Sequence, residues 1–231
     1  MSVIVKVLAK LRSPALWGSW DRGFEAYTTT TKCFEGDIIY PCVFPTYIKG
    51  LLRRNAYSIL PHLERLNIIK RDIYVRLFGP SVFEDGGVMI LDEPSCIDVS
   101  FGKVVNDEEA KYIIKKWPPV ESVKPARLEE ALFIEPHIRL RDETGTVVEG
   151  ALFTEERISN DLYVYFEVKI RCSDNVLDYL KLLLFSIALI PYEPIARGST
   201  AEVCINVVGP SDELISFFVS SINSRSIWCS Q

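Results

Sequence analysis

The chain has 231 residues, 48% of them hydrophobic and 25% charged, with a formal net charge of −5 and a pI near 5.2. That length and composition belong to a soluble globular protein with enough chain to bury a substantial core. An acidic body lacks the basic field that indiscriminate nucleic-acid binding needs, so a nucleic-acid site has to be a local patch.

The N-terminus opens directly on a strand pattern, which predicts no signal peptide. The most apolar run, 176–191, carries Asp178 and Lys181 and is too short to span a bilayer. A cytoplasmic protein with no membrane partner is expected. No two of the six cysteines (Cys33, Cys42, Cys96, Cys172, Cys204, Cys229) stand in a C-x-x-C spacing, which argues against a zinc site. Buried thiols are the expectation, with disulfides left open for a protein of a thermophile.

In chain order, residues 3–11 alternate Val3, Val5, Val7, Ala9 and Leu11 against Ile4, Lys6, Leu8 and Lys10, the pattern of a half-buried strand. Residues 13–37 have no period and read as a long loop or hairpin carrying Asp21, Glu25, Glu35 and Asp37. A short strand over 37–43 follows. Thr46 is the expected N-cap of a helix whose apolar face is Ile48, Leu51, Leu52, Ile59 and Leu60, with Pro61 ending or kinking it. A second short helical piece is expected to reach Asn67.

The exposed face of that helix is basic. Lys49, Arg53 and Arg54 lie within its first turns, where cations oppose the helix dipole by a few tenths of a kcal/mol each, about 0.3 or more. A phosphate there would reverse the sign, accepting bonds from free N–H groups and neutralising the side chains. Gly50, inside the helix, costs roughly 1 kcal/mol relative to Ala, and close approach of another backbone is one reason to keep it. A solvated amphipathic helix with a basic surface is the alternative.

Farther on, Leu77-Phe78-Gly79 precedes a strand over Val88–Leu91 that ends at Asp92. Residues 94–105 are irregular. Asn106 with Glu109 makes a capping box for a helix to Lys116, and the proline-rich stretch 117–130 reads as an extended connector. A short strand at 138–140 and a turn at 143–145 lead to the alternating strand 162–170, where Tyr163 and Tyr165 are expected to cover a sheet face rather than stack on bases. Residues 173–190 are an amphipathic helix for packing on a sheet. The loop Arg197-Gly198-Ser199-Thr200 can offer backbone N–H groups, a guanidinium and hydroxyls to a phosphate, although a glycine-serine loop alone is weak evidence. A strand over 201–208 and a last helix over 211–222 close the chain.

Pro45-Thr46-Tyr47-Ile48-Lys49-Gly50-Leu51-Leu52-Arg53 resembles the proline-glycine-serine-serine-hydrophobic-lysine-glycine-x-hydrophobic-arginine signature of the CRISPR-associated RAMP superfamily in Pro45, Ile48, Lys49, Gly50, Leu52 and Arg53, with Thr46 and Tyr47 departing from its usual glycine-serine. Three further segments resemble that family in the same order. They are Leu77-Phe78-Gly79 with Val88–Asp92; the block with Arg139, Asp142, Thr144, Gly145, Leu152, Phe153, Glu155, Arg157, Phe166 and Ile170; and the 197–200 loop. The doubled strand-helix-strand order itself suits an α+β fold, a ferredoxin-like or RRM-like antiparallel sheet with helices on one face. The resemblance implies the same fold as one domain over 1–231, with an inserted segment at about 93–135 and a thumb-like hairpin at about 142–165.

The resemblance further implies a guide-RNA-binding backbone subunit of a type III CRISPR effector in antiviral defence. Its partners would be guide RNA, target RNA, other effector subunits and further copies of itself along the RNA. The residues expected at the RNA are Thr46, Lys49, Gly50, Arg53, Arg54, Arg157, Arg197 and Ser199. Binding needs no cofactor. Some relatives cut target RNA with a loop carboxylate and a divalent metal; Asp21 and Asp37 are the candidates, or the loop acids are simply solvated. Two enzymatic alternatives stand beside this. One is a guide-RNA-processing endonuclease, for which only His62 and His137 offer an imidazole. The other is an unrelated α+β enzyme, for which Cys33 or Cys42 with His62 is the thin support.

Overall fold

The computed structural model describes residues 3–18, 28–79, 94–140, 147–210 and 212–230. Strand β1 (Val3–Leu11) is central, pairing antiparallel with β8 (Tyr163–Ile170) on one side and β9 (Ala201–Val208) on the other. On the far edge of β8 lie β4 (Ile97–Val99) and β5 (Gly102–Val105) end to end. β5 pairs with β3 (Ile38–Val43), which pairs with the edge strand β2 (Lys32–Glu35). All these pairings are antiparallel. The order β9-β1-β8-β5, linked by helix α1 (Pro45–Arg65) after the first strand and α5 (Val176–Ala188) before the last, is the ferredoxin-like arrangement expected from the sequence.

The core lies between the sheet and α1, α5 and α2 (Arg71–Phe78). Val3, Val5, Val7, Ala9 and Leu11 meet Leu52, Leu60, Leu183 and Ile187 there, all 0–2% exposed. The other sheet face is covered as well. Helix α3 (Asp107–Lys116), Trp117, Val120, Val123 and Trp228 pack on Leu8, Val105, Tyr163 and Tyr165. Strand β1 is therefore buried on both faces over Lys6 and Leu8 rather than half-buried. Lys6 is tolerated because its ammonium donates to the Trp117 carbonyl and faces Glu167 at 3.6 Å.

Several local expectations need correction. Helix α1 begins at Pro45 with Phe44 as N-cap, so Thr46 lies inside the first turn and caps nothing. Proline at N1 has its φ pre-set for the helix and loses no bond there. The helix also runs through Pro61 to Arg65 instead of breaking. Pro61 and Tyr57, whose carbonyl loses its partner, are on the solvent face, while Leu60 and Leu63 stay anchored in the core. The region 94–105 is two strands. Their pairing to β8 shifts by one residue at Ser100, whose hydroxyl accepts from the Glu167 N–H, so a bulge hides the alternation. Within 117–130 the connector holds a single 3-10 turn (Val120–Ser122) and a one-turn helix, α4 (Leu128–Ala131).

The hairpin consists of β6 (Leu132–Leu140) and β7 (Val147–Ile158), a separate two-stranded arm. It ends at Ile158 because a turn at Asn160-Asp161 re-aims the chain into β8. The expected strand at 88–92 and turn at 143–145, with Asp142, Thr144 and Gly145, lie outside the described residues. Helix α6 (Glu213–Asn223) packs on β9. Its Asn223 side chain both donates to and accepts from the Ile205 backbone, closing that sheet edge.

The cysteines are not free thiols. Cys33–Cys42, Cys96–Cys172 and Cys204–Cys229 are disulfides with Cα separations of 5.7, 5.3 and 5.7 Å. Spacing along the chain could not reveal this, because each pair is brought together by strand pairing or a packed tail. Among the described residues no helix is long and apolar enough to cross a membrane.

Candidate nucleic-acid interface

The exposed face of α1 presents two adjoining stripes. One is Thr46, Gly50 and Arg54; the other is Lys49 and Arg53. Both follow from the i, i+4 spacing of a helix whose opposite face is fixed in the core by Ile48, Leu51 and Leu52.

The first stripe borders a cleft of about 500 Å³, closed on the other side by Pro194, Ile195, Ala196 and Arg197. Trp17 and Tyr47 form part of its wall. The Tyr47 hydroxyl donates to the Gly18 carbonyl at 3.1 Å, and Arg54 Nη2 donates to the Pro194 carbonyl at 3.0 Å, which ties the helix to the loop. Gly50 faces open space: a Cβ built there meets nothing within 4 Å. Packing among the described residues therefore gives no reason for a glycine at this position.

The second stripe is crowded with cations. Lys49 Nζ donates to Ser95 Oγ at 2.5 Å. Arg53 is held by Tyr74 Oη at 3.4 Å and by the Gly79 carbonyl at 3.2 Å, at the end of α2. Burial, then the charges of Arg53 and Arg171, hold the Lys49 ammonium below the usual lysine range, with Asp98 opposing them. Asp98 already pairs with Arg171 at 2.9 Å. Among the described residues Asp98 is the acid acting on Lys49 and Arg171, with Arg53 a further cation beside Lys49, and an anion would relieve this crowding. Arg171, at the end of β8, was not singled out from the sequence. Its only signal was its position at the end of an alternating strand.

The remaining residues expected at RNA are placed differently. Ser199 is buried, and its hydroxyl donates to the Ser13 carbonyl at 2.6 Å, so it shapes the loop rather than facing a ligand. Arg157 is also turned inward, with a side chain 13% exposed between Glu135 at 2.7 Å and Glu155 at 2.8 Å. Arg197 lines the cleft with a side chain 65% exposed, and one of its nitrogens rests on Glu155 at 2.7 Å. Gly198 has φ +81, and a Cβ there would stand 2.9 Å from Arg157 Nη1, so this loop position needs glycine.

Of the two candidate catalytic acids, Asp21 lies outside the described residues. Asp37 follows Gly36 in the two-residue turn of the exposed β2–β3 hairpin. Among the described residues no group of three metal-binding side chains is present. Asp37 alone at a hairpin tip does not fit a divalent-metal site. His62 is exposed in the last turn of α1. His137 is stacked on Phe153 and lies between Glu135 and Glu155 at 3.4 and 3.3 Å. Cys33 and Cys42 are spent on each other.

Tyr163 and Tyr165 are buried and unavailable for stacking on bases. Tyr163 donates to Asp107 and Tyr165 to the Pro118 carbonyl; burial above all pushes both phenols up. The face that carries ligands in an open RRM-like sheet is therefore closed at these positions.

No protein-family model and no curated protein matches the chain. Solved structures do. A chain of a type III-B Cmr-beta complex bound to cognate target RNA is 10% identical, with a TM-score of 0.50 over 77% of this chain and 86% of that one. A chain of the apo state of type III-B Cmr-beta is 12% identical, with a TM-score of 0.52 over 78% and 88%. At these identities the likeness is one of fold: an α+β, RAMP-like arrangement.

Proposed function

We propose that the protein is an RNA-binding subunit of a type III CRISPR effector complex, one that holds guide RNA by its phosphate backbone. The observation that carries this reading is the basic face of α1, where Arg53 and Arg171 crowd Lys49 with Asp98 opposing them, beside a cleft edged by Arg54 and Arg197. Phosphates accept from such side chains without reading sequence, leaving the bases free to pair. The fold likeness to chains of type III-B Cmr-beta complexes supports it. Guide RNA, target RNA, other effector subunits and neighbouring copies of the chain would be the partners. On an acidic protein of net charge −5, the affinity of one copy is weak, and copies along one RNA add their patches by avidity.

The test is binding of single-stranded RNA across a salt series by the wild type and by Lys49→Glu/Arg53→Glu. A salt-sensitive affinity abolished in the variant supports the reading. RNA recovered with the native complex but still bound normally by complexes carrying the variant would overturn the assignment of this face.

A further inference from the structure

Behind the cleft lies a relay of paired charge, buried at Glu155 and Arg157, that spacing along the sequence did not suggest. Glu155, on β7, has a side chain only 1% exposed. Its Oε2 accepts from Arg157 Nη2 at 2.8 Å and Nε at 3.2 Å. Arg157 Nε also reaches Glu135, on β6, at 2.7 Å. The other oxygen of Glu155, Oε1, forms an ion pair with Arg197 Nη1 at 2.7 Å, a contact of charge and proximity rather than an aligned hydrogen bond. Two carboxylates and two guanidiniums thus run from the β6–β7 arm to the 194–197 loop, and the last member lines the cleft.

A carboxylate this deeply buried has to be paired, so Glu155 holds its cations firmly. A guanidinium carries five donors in a rigid fork. With Nη1 on Glu155, the side chain 65% exposed and no second acid paired with it among the described residues, Arg197 has further donors to offer a second anion. A lysine could not divide itself in this way, since its single ammonium has no fixed second edge.

We propose that Glu155 is the positioning residue of the cleft: it clamps one edge of Arg197 so that the other edge is presented, pre-oriented, to a phosphate of bound RNA, and it couples that presentation to the β6–β7 arm through Arg157 and Glu135. The proposal rests on the reading of the cleft as an RNA-backbone site. Pre-orientation lowers the ordering cost of binding.

The experiment compares wild type, Glu155→Gln, Arg197→Ala, Arg197→Lys and the double variant Glu155→Gln/Arg197→Ala for binding of an oligouridine strand. It is paired with NMR of the arginine Nε–H groups in the free protein. Loss of one oriented charge-assisted contact weakens binding roughly tenfold. Glu155→Gln and Arg197→Ala should each show that loss, and the double variant should be no worse than either. Lys49→Glu added to Glu155→Gln should still cost its full factor, which a general loss of folding would not preserve.

Arg197 is exposed, so Arg197→Lys tests the point without disturbing the core, and it should bind as poorly as Arg197→Ala. Single-variant losses that multiply in the double variant, or wild-type binding by Arg197→Lys, overturn the proposal. If the wild type binds no oligouridine, the RNA reading fails by itself and the NMR arm still decides the clamp. A slowly exchanging, ordered Arg197 in the wild type that becomes mobile in Glu155→Gln sustains it. An Arg197 already mobile in the wild type refutes it.

Discussion

Gly50 separates stability from function at the scale of one residue. A glycine inside a helix costs roughly 1 kcal/mol relative to alanine, and here none of the described residues occupies the space its missing Cβ leaves. Gly50→Ala should therefore raise stability by about 1 kcal/mol in denaturant unfolding. If RNA passes over the cleft, the same change lowers RNA affinity; unchanged affinity would place the RNA elsewhere. Lys49 makes a second prediction, on pH. Its folded pKa lies below the ordinary value, so the unfolded chain binds the proton more tightly between that folded value and the unfolded one. Stability from this group accordingly rises with pH through that window, and Lys49→Gln should flatten the rise. A bound phosphate favours the charged form, so an NMR titration of the Lys49 ammonium should move upward on adding RNA.

At the scale of elements, the three disulfides do unequal work. Cys96–Cys172 ties the start of β4 to the end of β8 across a separation of 76 residues, whereas Cys33–Cys42 staples a hairpin across 9. Loop-closure entropy then assigns about 4 kcal/mol to the first and about 3 kcal/mol to the second. Replacing Cys96 and Cys172 by alanine should lower the unfolding midpoint more than replacing Cys33 and Cys42. Equal losses would mean that the unfolded chain keeps these strands together. The helices are simpler to read. Asn106 caps α3 by accepting from the Glu109 N–H at 3.0 Å, as the capping-box pattern predicts. Helix α1 was legible in its apolar stripe but not in its ends, because Pro45 and Pro61 act through which carbonyls face water.

For the whole molecule, a local basic patch on an acidic body sets a measurable limit. If Lys49, Arg53, Arg54 and Arg197 each neutralise one phosphate, log affinity should fall against log salt with a slope of about −3. A slope near zero would show that phosphate contacts do not hold the RNA, and a much steeper one would require further basic residues. The patch is assembled from distant parts of the chain: α1, the end of β8 and the 194–197 loop. That is why Arg171 escaped notice in the sequence, and why Glu155, named there only through the family resemblance, showed no tie to Arg197, while Lys49 and Arg53, only four residues apart on one helix, were seen together.

The sequence by itself determined the alternation of β1 and β8, the apolar stripes of α1 and α5 and hence the doubled strand-helix-strand order, because period and spacing are local properties that survive any tertiary context. It also placed three basic residues on one helical face. Only the tertiary structure decided the pairing of the cysteines, the covering of the second sheet face, and the fate of each charge. Arg157 and Arg197 look alike along the chain. One is turned inward between two carboxylates and the other is left on the rim of the cleft, because burial and ion pairing depend on which strands meet, and that contact is not written in the spacing of either residue.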